Sequence, residues 1–258
     1  MQSTMQDVPL TVAAILRYAS TVHGDRTVTT ATGDGYRHAT YREVGRQAAR
    51  LANALRRLGV DGDDRVATFM WNNQEHLEAY VAVPSMGAVL HTLNIRLFPE
   101  QIEFVAYEAE DRVVIADLSL APILAPVLPK METVHTVVAV GAGDLEPFQR
   151  SGKNVVRYHD ITAAESDQFA WPAIAEKSAA AMSYTSGTTG HPQGVVYGHR
   201  STYLHSTAVC SGNGMGLSFS DKAFPIVPMF HANAWGLPYA ALMAGADILL
   251  PDRHMDAR

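Results

Sequence analysis

The sequence has a single cysteine, Cys210, among its 258 residues. No internal disulfide can therefore form, which is typical of proteins from a reducing compartment. Cys210 also lacks cysteine or histidine partners at the spacing of a metal site. We therefore interpret it as a small apolar residue of the interior.

Long apolar runs and dense basic runs are missing as well. No stretch reaches the ~20 apolar residues that cross a bilayer, and the apolar stretch after Asp7 continues into an amphipathic pattern instead of a signal-peptide cleavage site. The net charge of −6 argues against a nucleic-acid partner. With 47% apolar and 18% charged residues, the composition predicts a globular cytoplasmic protein without a transmembrane segment.

Helix-like and strand-like segments alternate along the first 140 residues. The stretch 40–43 has the form of a capping box, and apolar residues at helical spacing predict a helix that Gly59 ends. The further predicted elements are strands at 65–70, 112–116 and 136–140, an apolar segment at 88–93, and helices from about 75 and from 99. This alternation favours a layered α/β fold with largely parallel sheets flanked by helices.

A polar, irregular stretch at 141–178 separates this part from the rest of the chain. It predicts an N-terminal α/β subdomain at 1–175 and a partial second α/β subdomain at 176–258. The elements predicted after it are strands at 179–185, 194–197, 224–227 and 246–250, and helices from about 199 and at 235–244. The last strand has no covering helix, although open parallel sheets are normally covered on both faces. A short edge strand with a frayed tail and a truncated domain both fit this pattern.

Three polar residues near the start of the second predicted helix could be mistaken for a site. Glu75, His76 and Glu78 occupy positions i, i+1 and i+3 of that helix. This spacing predicts a solvated helix face.

The stretch at 184–194, YTSGTTGHPQG, carries the strongest functional signal. Its hydroxyls can donate hydrogen bonds, and its glycines let the backbone approach a ligand closely. Successive backbone N–H groups in such a turn suit a phosphate oxygen. The loop lacks the Gly-Lys-[Ser/Thr] ending of a Walker A loop, and a flexible surface turn is the alternative.

This stretch resembles the phosphate-binding signature of the adenylate-forming superfamily, which includes acyl-CoA synthetases, luciferases and the adenylation domains of peptide synthetases. The usual signature ends Pro-Lys-Gly. The stretch at 227–236, VPMFHANAWG, resembles the second core motif of the same superfamily, and its His-x-Asn-x-Trp wording is nearest to the fatty-acyl-CoA synthetase branch. Residues 87–97 and 99–100 resemble the upstream segment of that superfamily.

The resemblance implies a two-step reaction. ATP and a carboxylic acid give an acyl-adenylate and pyrophosphate, and the thiol of coenzyme A then displaces AMP. It implies ATP, Mg²⁺ and coenzyme A as cofactors or co-substrates, and a fatty acid or related acid as substrate. The residues that it assigns to the ATP phosphates are Thr185, Ser186, Gly187, Thr188, Thr189, Gly190, Gln193 and Gly194.

Further roles follow from the same resemblance. Thr185 is the hydroxyl expected near Mg²⁺, His231 is expected to be catalytic at the acyl pocket, and Trp235 matches an aromatic gate of the fatty-acyl tunnel. Taken singly, a histidine is more often a hydrogen-bonded structural residue, and a tryptophan is more often part of a core.

The chain departs from the superfamily at two points. Gln193 replaces the lysine, and losing such a charge-assisted contact typically costs roughly 1.5–3 kcal/mol. The acidic Mg²⁺ motif, the ribose-binding aspartate and the C-terminal domain with its lysine do not appear. We therefore expect an incomplete N-terminal domain of a fatty-acid–CoA ligase that is inactive alone. Self-association into a homodimer is a further expectation. The alternative is a non-catalytic protein that keeps the fold to bind an acyl chain, a nucleotide or a partner subunit.

Overall fold

Two sheets with flanking helices make up the fold in the computed structural model, which describes residues 1, 3–185 and 192–254. The helices are α1 (Val12–Val22), α2 (Tyr41–Arg57), α3 (Gln74–Ser85), α4 (Pro99–Glu108), α5 (Ala121–Leu124), α6 (Glu146–Gln149), α7 (Tyr158–Ala163), α8 (His199–Cys210) and α9 (Leu237–Ala244). The strands are β1 (Thr27–Ala31), β2 (Tyr36–Thr40), β3 (Arg65–Phe69), β4 (Val89–Thr92), β5 (Asp111–Asp117), β6 (Thr136–Val140), β7 (Asn154–Arg157), β8 (Ala179–Thr185), β9 (Gln193–Gly198), β10 (Lys222–Ala223) and β11 (Asp247–Leu250).

The larger sheet has seven strands in the order β7-β6-β5-β3-β4-β8-β9. All neighbouring pairs are parallel except β8 and β9, which form an antiparallel hairpin. Strands β3 to β6 are buried along almost their whole length. Their apolar runs are those of a parallel sheet that is covered on both faces.

The smaller sheet has four strands in the order β10-β11-β1-β2. Strand β1 lies between β11, its parallel neighbour, and β2, its antiparallel neighbour. Both sheets thus take strands from either side of the boundary predicted between 175 and 176. The division into two subdomains stays a prediction.

Helix α3 is buried on all sides because it packs between elements of both sheets. The hydroxyl of Tyr80 in this helix donates to the carbonyl of Met229, and Tyr239 Oη donates to the carbonyl of Tyr80 at 2.9 Å. The two tyrosines therefore tie α3 to α9 and to the segment before it.

This packing makes the predicted solvated face of α3 wrong. His76 and Glu78 are 0% and 1% exposed. Glu78 accepts hydrogen bonds from Tyr158 Oη at 2.6 Å and from Gln74 Nε2 at 2.7 Å. Burial raises the pKa of Glu78 to about 7, against these two donors.

Local signals in the sequence position α2 to α4, β3 to β6, β8 and β9 correctly, whereas the stretch predicted as irregular at 141–178 contains α6, β7 and α7. The predicted capping box of α2 is confirmed, since Thr40 Oγ1 accepts from the Glu43 backbone N–H at 3.2 Å and Glu43 Oε2 accepts from the Thr40 N–H at 2.7 Å. Cys210 is only partly buried, and its Sγ lies 3.5 Å from the Ala240 carbonyl.

The strand predicted at 224–227 is wrong, because strand structure there ends at Ala223. Pro225 has no backbone N–H to give to a sheet. The side chain of Asn72 donates instead to the carbonyls of Pro225 and Val227 at 2.9 and 3.1 Å, so a buried asparagine holds this segment.

No helix within residues 1, 3–185 and 192–254 is both long and apolar enough to cross a membrane.

Candidate functional site

The predicted phosphate loop is carried by the hairpin of β8 and β9. Thr185 is the last residue of β8 and is paired in register with Gln193, the first of β9. Both residues are exposed. The other predicted phosphate-binding residues, except Gly194, lie outside the described residues: Ser186, Gly187, Thr188, Thr189 and Gly190.

Gly194 has a packing role of its own near the loop end of this hairpin. It faces Tyr184 across the two strands, and a Cβ on Gly194 would lie 3.1 Å from Tyr184 Cζ. The ring of Tyr184 in turn lies 5.2 Å from that of His91, centroid to centroid. Glycine therefore lets an aromatic ring cover the neighbouring strand at this position.

A fully buried histidine–carboxyl pair lies beneath this aromatic contact. His91 Nδ1 lies 2.9 and 2.8 Å from the two carboxylate oxygens of Asp111, and both side chains are 0% exposed. Burial raises the pKa of the Asp111 carboxyl, and His91 opposes that shift.

A left-handed turn carries the second motif. Ala232, Asn233, Ala234, Trp235 and Gly236 have φ values of 44°, 51°, 50°, 54° and 68°. Each non-glycine residue in this conformation costs roughly 1–2 kcal/mol, so neighbouring contacts must hold the turn. His205 provides one of them, since its Nε2 lies 2.8 Å from the Trp235 carbonyl oxygen.

The turn and the hairpin border one cavity of about 470 Å³. Ala181 of β8 and Tyr197 of β9 form one wall, Asn233 and Trp235 form another, and α8 contributes His205. Asn233 is 6% exposed, and neither polar atom of its side chain has a hydrogen-bond partner among the described residues. A buried amide without partners at a cavity wall can satisfy a polar group of a ligand.

The cavity includes one of the two residues predicted to contact substrate. Trp235 lines it and is 61% exposed. His231 is an exposed residue just before the turn and is not part of the cavity wall. Its predicted catalytic role stays a prediction.

The predicted metal site at Thr185 also stays a prediction. Within the part of the chain that the structure describes, no three histidine, cysteine, aspartate or glutamate residues lie together as a metal site would require. Mg²⁺ commonly keeps several waters and is shared with oxygens of substrate phosphates, and such ligands would complete a site at Thr185.

A family model described as AMP-binding enzyme matches residues 16–258. The chain belongs to the AMP-binding enzyme family. Its fold agrees with that of the anthranilate CoA ligase AuaEII in complex with anthranoyl-AMP, with a TM-score of 0.83 and 22% identity over 97% of this chain and 46% of that one.

Curated members of the AMP-binding enzyme family include acyl-CoA ligases that resemble this chain over its whole length. The long-chain-fatty-acid–CoA ligase of Thermus thermophilus is 42% identical over 98% of this chain and 45% of that protein. The medium-chain-fatty-acid–CoA ligase of Ectopseudomonas oleovorans is 39% identical over 99% and 47%, and the 3-methylmercaptopropionyl-CoA ligase of Ruegeria lacuscaerulensis is 38% identical over 100% and 48%. The chain thus spans about half the length of these relatives.

Sequence reasoning missed three residues of this arrangement. His205 and Asn233 flank the cavity, and His91 lies under the hairpin. His205 follows Ser201 by one helical turn on α8, and both line the cavity. That i, i+4 spacing was the available signal, whereas His91 stands in an apolar segment without any pattern that marks it.

Proposed function

We propose that the chain is the N-terminal part of a fatty-acid–CoA ligase, which forms an acyl-adenylate from ATP and then a thioester with coenzyme A. One observation carries this proposal. The strands that hold the predicted phosphate loop and the turn that holds Trp235 line the same cavity. The relatives named as medium-chain and long-chain fatty-acid–CoA ligases support the choice of acid.

The cavity suits the acyl part of the substrate. Its volume of about 470 Å³ lies within the range of about 300–1,000 Å³ that small-molecule sites occupy. Ala181, Tyr197 and Trp235 give it largely apolar walls, with Trp235 as the predicted gate of the acyl tunnel. The unpaired amide of Asn233 offers a hydrogen bond to the polar end of an acid.

The hairpin suits the nucleotide part. Thr185 and Gln193 are exposed where the two strands meet the loop, and they can donate hydrogen bonds to phosphate oxygens. Residues 185–190, 193 and 194 would hold the ATP phosphates, and Thr185 would approach Mg²⁺. When bound, Mg²⁺ spreads the negative charge of the pyrophosphate group. His231 would donate a hydrogen bond to the acyl oxygen.

Replacing Gln193 tests the nucleotide site. Gln193→Lys restores a positive charge and is expected to lower the Kd for ATP by about tenfold or more. Isothermal titration of both proteins with ATP measures this, and Gln193→Met, which removes the donor, serves as the control. Equal ATP affinities of the wild type and Gln193→Lys would contradict the proposed role of residue 193.

The purified 258-residue chain is expected to form no acyl-CoA by itself. ATP-dependent thioester formation by this chain, followed by chromatography of the acyl-CoA product, would contradict that. A homodimer is a further prediction, and light scattering after gel filtration measures it directly.

A second candidate function is a non-catalytic protein that binds an acyl chain, a nucleotide or a partner subunit. The glutamine at position 193 favours it, because the loop lacks the charge that its usual form carries. Pyrophosphate exchange driven by a fatty acid separates the two candidates. Exchange supports the ligase, whereas tight fatty-acid binding without exchange supports the binding protein.

A further inference from the structure

A second pocket lies away from the hairpin, between α2, β2 and the start of α3. Its volume is about 350 Å³, and its walls include Arg37, Glu43, Arg46, Gln47, Arg50 and Gln74. We call it the arginine pocket. Three guanidinium groups on one concave surface stand out in a chain of net charge −6.

Arg50 is the unusual member of this group. The other two arginines of the pocket have carboxylate partners, Arg37 in Glu75 and Arg46 in Asp167, and Arg57 on the same helix has one in Glu165. Among the described residues, no carboxylate pairs with Arg50, and its buried Nε has no hydrogen-bond partner. A buried guanidinium donor without an acceptor is costly, so a rotation of the Arg50 side chain that brings Nε–H to an acceptor of a ligand in the pocket would stabilise it.

The other arginines leave part of their charge available. Arg46 lies 3.8 Å from its carboxylate partner Asp167, and its side chain is 57% exposed. Arg37 is held by Glu75 through two contacts of 2.6 Å. The terminal nitrogens of Arg37 are therefore already occupied by Glu75, whereas Arg46 and Arg50 can direct N–H donors to a ligand.

One carboxylate faces the same pocket. Glu43 is ionised, because its hydrogen bonds to Thr40 lower its pKa, but these bonds hold it at the N-terminus of α2. On the opposite wall, the buried Oε1 of Gln74 has no hydrogen-bond partner in the described structure. This oxygen could accept from a hydroxyl or protonated oxygen of a ligand.

We propose that the arginine pocket is an anion site that binds the phosphoryl group of a small phosphorylated molecule. Arg46 and Arg50 donate to the phosphoryl oxygens, and the amide of Gln47 adds a neutral donor. Guanidinium groups match phosphate geometry with paired donors. The site is formed by other residues than the hairpin and does not depend on the proposed ligase function.

Inorganic pyrophosphate is the probe for this site. The substitutions Thr188→Ala and Thr189→Ala weaken the other candidate phosphate site. The chain that carries both is titrated with pyrophosphate by calorimetry. We expect a Kd of about 1 mM or lower. Added Arg50→Gln should raise it about tenfold or more, while Arg57→Gln, on the same helix and already paired with Glu165, should leave it unchanged.

A local readout separates binding here from binding at the hairpin. In ¹⁵N spectra, the Arg50 Nε–Hε resonance is assigned by its loss in Arg50→Lys and should shift saturably with pyrophosphate. Absence of that shift, or equal affinity of the wild type and Arg50→Gln at matched thermal stability, would overturn the proposal. Equal affinity for citrate would also overturn it, because the pocket would then recognise negative charge and not a phosphoryl group. Substitutions that remove pyrophosphate binding only at the hairpin should leave the saturable shift of the Arg50 Nε–Hε resonance unchanged.

Discussion

The two sheets differ in how far apart their strands lie in the chain. Five strands of the seven-stranded sheet, β3 to β7, follow one another between residues 65 and 157. The four-stranded sheet joins β1 and β2 to β10 and β11, almost two hundred residues later. The first sheet is therefore built from local units, whereas the second requires the closure of a long loop.

The sheets also differ in how deeply their carboxyl groups are buried. The larger sheet contains the fully buried pair of His91 and Asp111. The smaller one uses the half-buried Asp247, whose Oδ1 accepts from the Thr27 N–H at 2.9 Å. Removing a carboxylate should thus be far more costly in the larger sheet.

The largest expected effect is that of Asp111→Ala. Removing the carboxyl leaves the buried Nδ1 of His91 without its hydrogen-bond partner, and this should lower the free energy of unfolding by about 3 kcal/mol or more. Asp247→Ala should lower it by about 1 kcal/mol, as expected for one ordinary hydrogen bond. Urea denaturation of the two variants measures both values. Equal losses would mean that the sheets do not differ in this respect.

The next largest effect concerns Glu78, on the helix between the sheets. Its pKa is about 7 in the folded chain, chiefly because of burial, against an ordinary value of 4.5 for a glutamate. The folded state therefore holds this proton to higher pH than the unfolded state, and the contribution of Glu78 to the free energy of unfolding should fall as pH rises from about 5 to 8. The fall should be on the order of 2–3 kcal/mol.

Glu78→Gln should remove this fall, because the new amide does not titrate. Gln74 can turn its unpaired Oε1 towards that amide, so the variant keeps a partner. The buried His76 and His199 have pKa values of about 4 and make stability rise with pH up to about 6.5. They act in both proteins, so the difference between the two pH profiles isolates Glu78. Parallel profiles would contradict the raised pKa.

A smaller difference in stability is expected between variants of the two turns that lead into the sheets. Gly59, before β3, and Gly245, before β11, have φ values of +85° and +71°. Alanine at either position should cost about 1–2 kcal/mol for the left-handed conformation. At Gly245 the added Cβ would also lie 2.5 Å from His23, whereas nothing lies within 4 Å at Gly59.

Gly245→Ala should therefore have the lower melting temperature of the two. His23→Ala in the Gly245→Ala background should recover the difference. No recovery would mean that the backbone conformation alone sets the cost at this turn.

The same comparison explains what could be predicted from the sequence. The strands at 65–70, 112–116 and 136–140 stand out because short apolar runs between turn residues mark buried parallel strands. The pairing of β1 with β11 has no local signal. The burial of His76 and Glu78 was not predictable either, because helical spacing shows one polar face and does not show that a second sheet covers it.

The candidate site also has one part that the sequence predicts and another that it does not. The sequence motif locates the hairpin. Strand β8 has the predicted bounds, and β9 is one residue longer at each end than predicted. The cavity joins residues of β8, β9, α8 and the left-handed turn, and the packing of α8 on α9, on the two strands and on the turn brings these elements together. His205 and Asn233 therefore required the three-dimensional structure.

The left-handed turn at 232–236 has a consequence for protein engineering. Glycine usually weakens a folded segment by about 0.5–1 kcal/mol relative to alanine. At Ala234, with φ of 50°, it would instead relieve a strain of roughly 1–2 kcal/mol. We expect Ala234→Gly to raise the melting temperature slightly, as calorimetry would show. A selection for thermal stability alone would thus drift towards glycine here and give up the stiffness that holds Asn233 and Trp235 against the cavity.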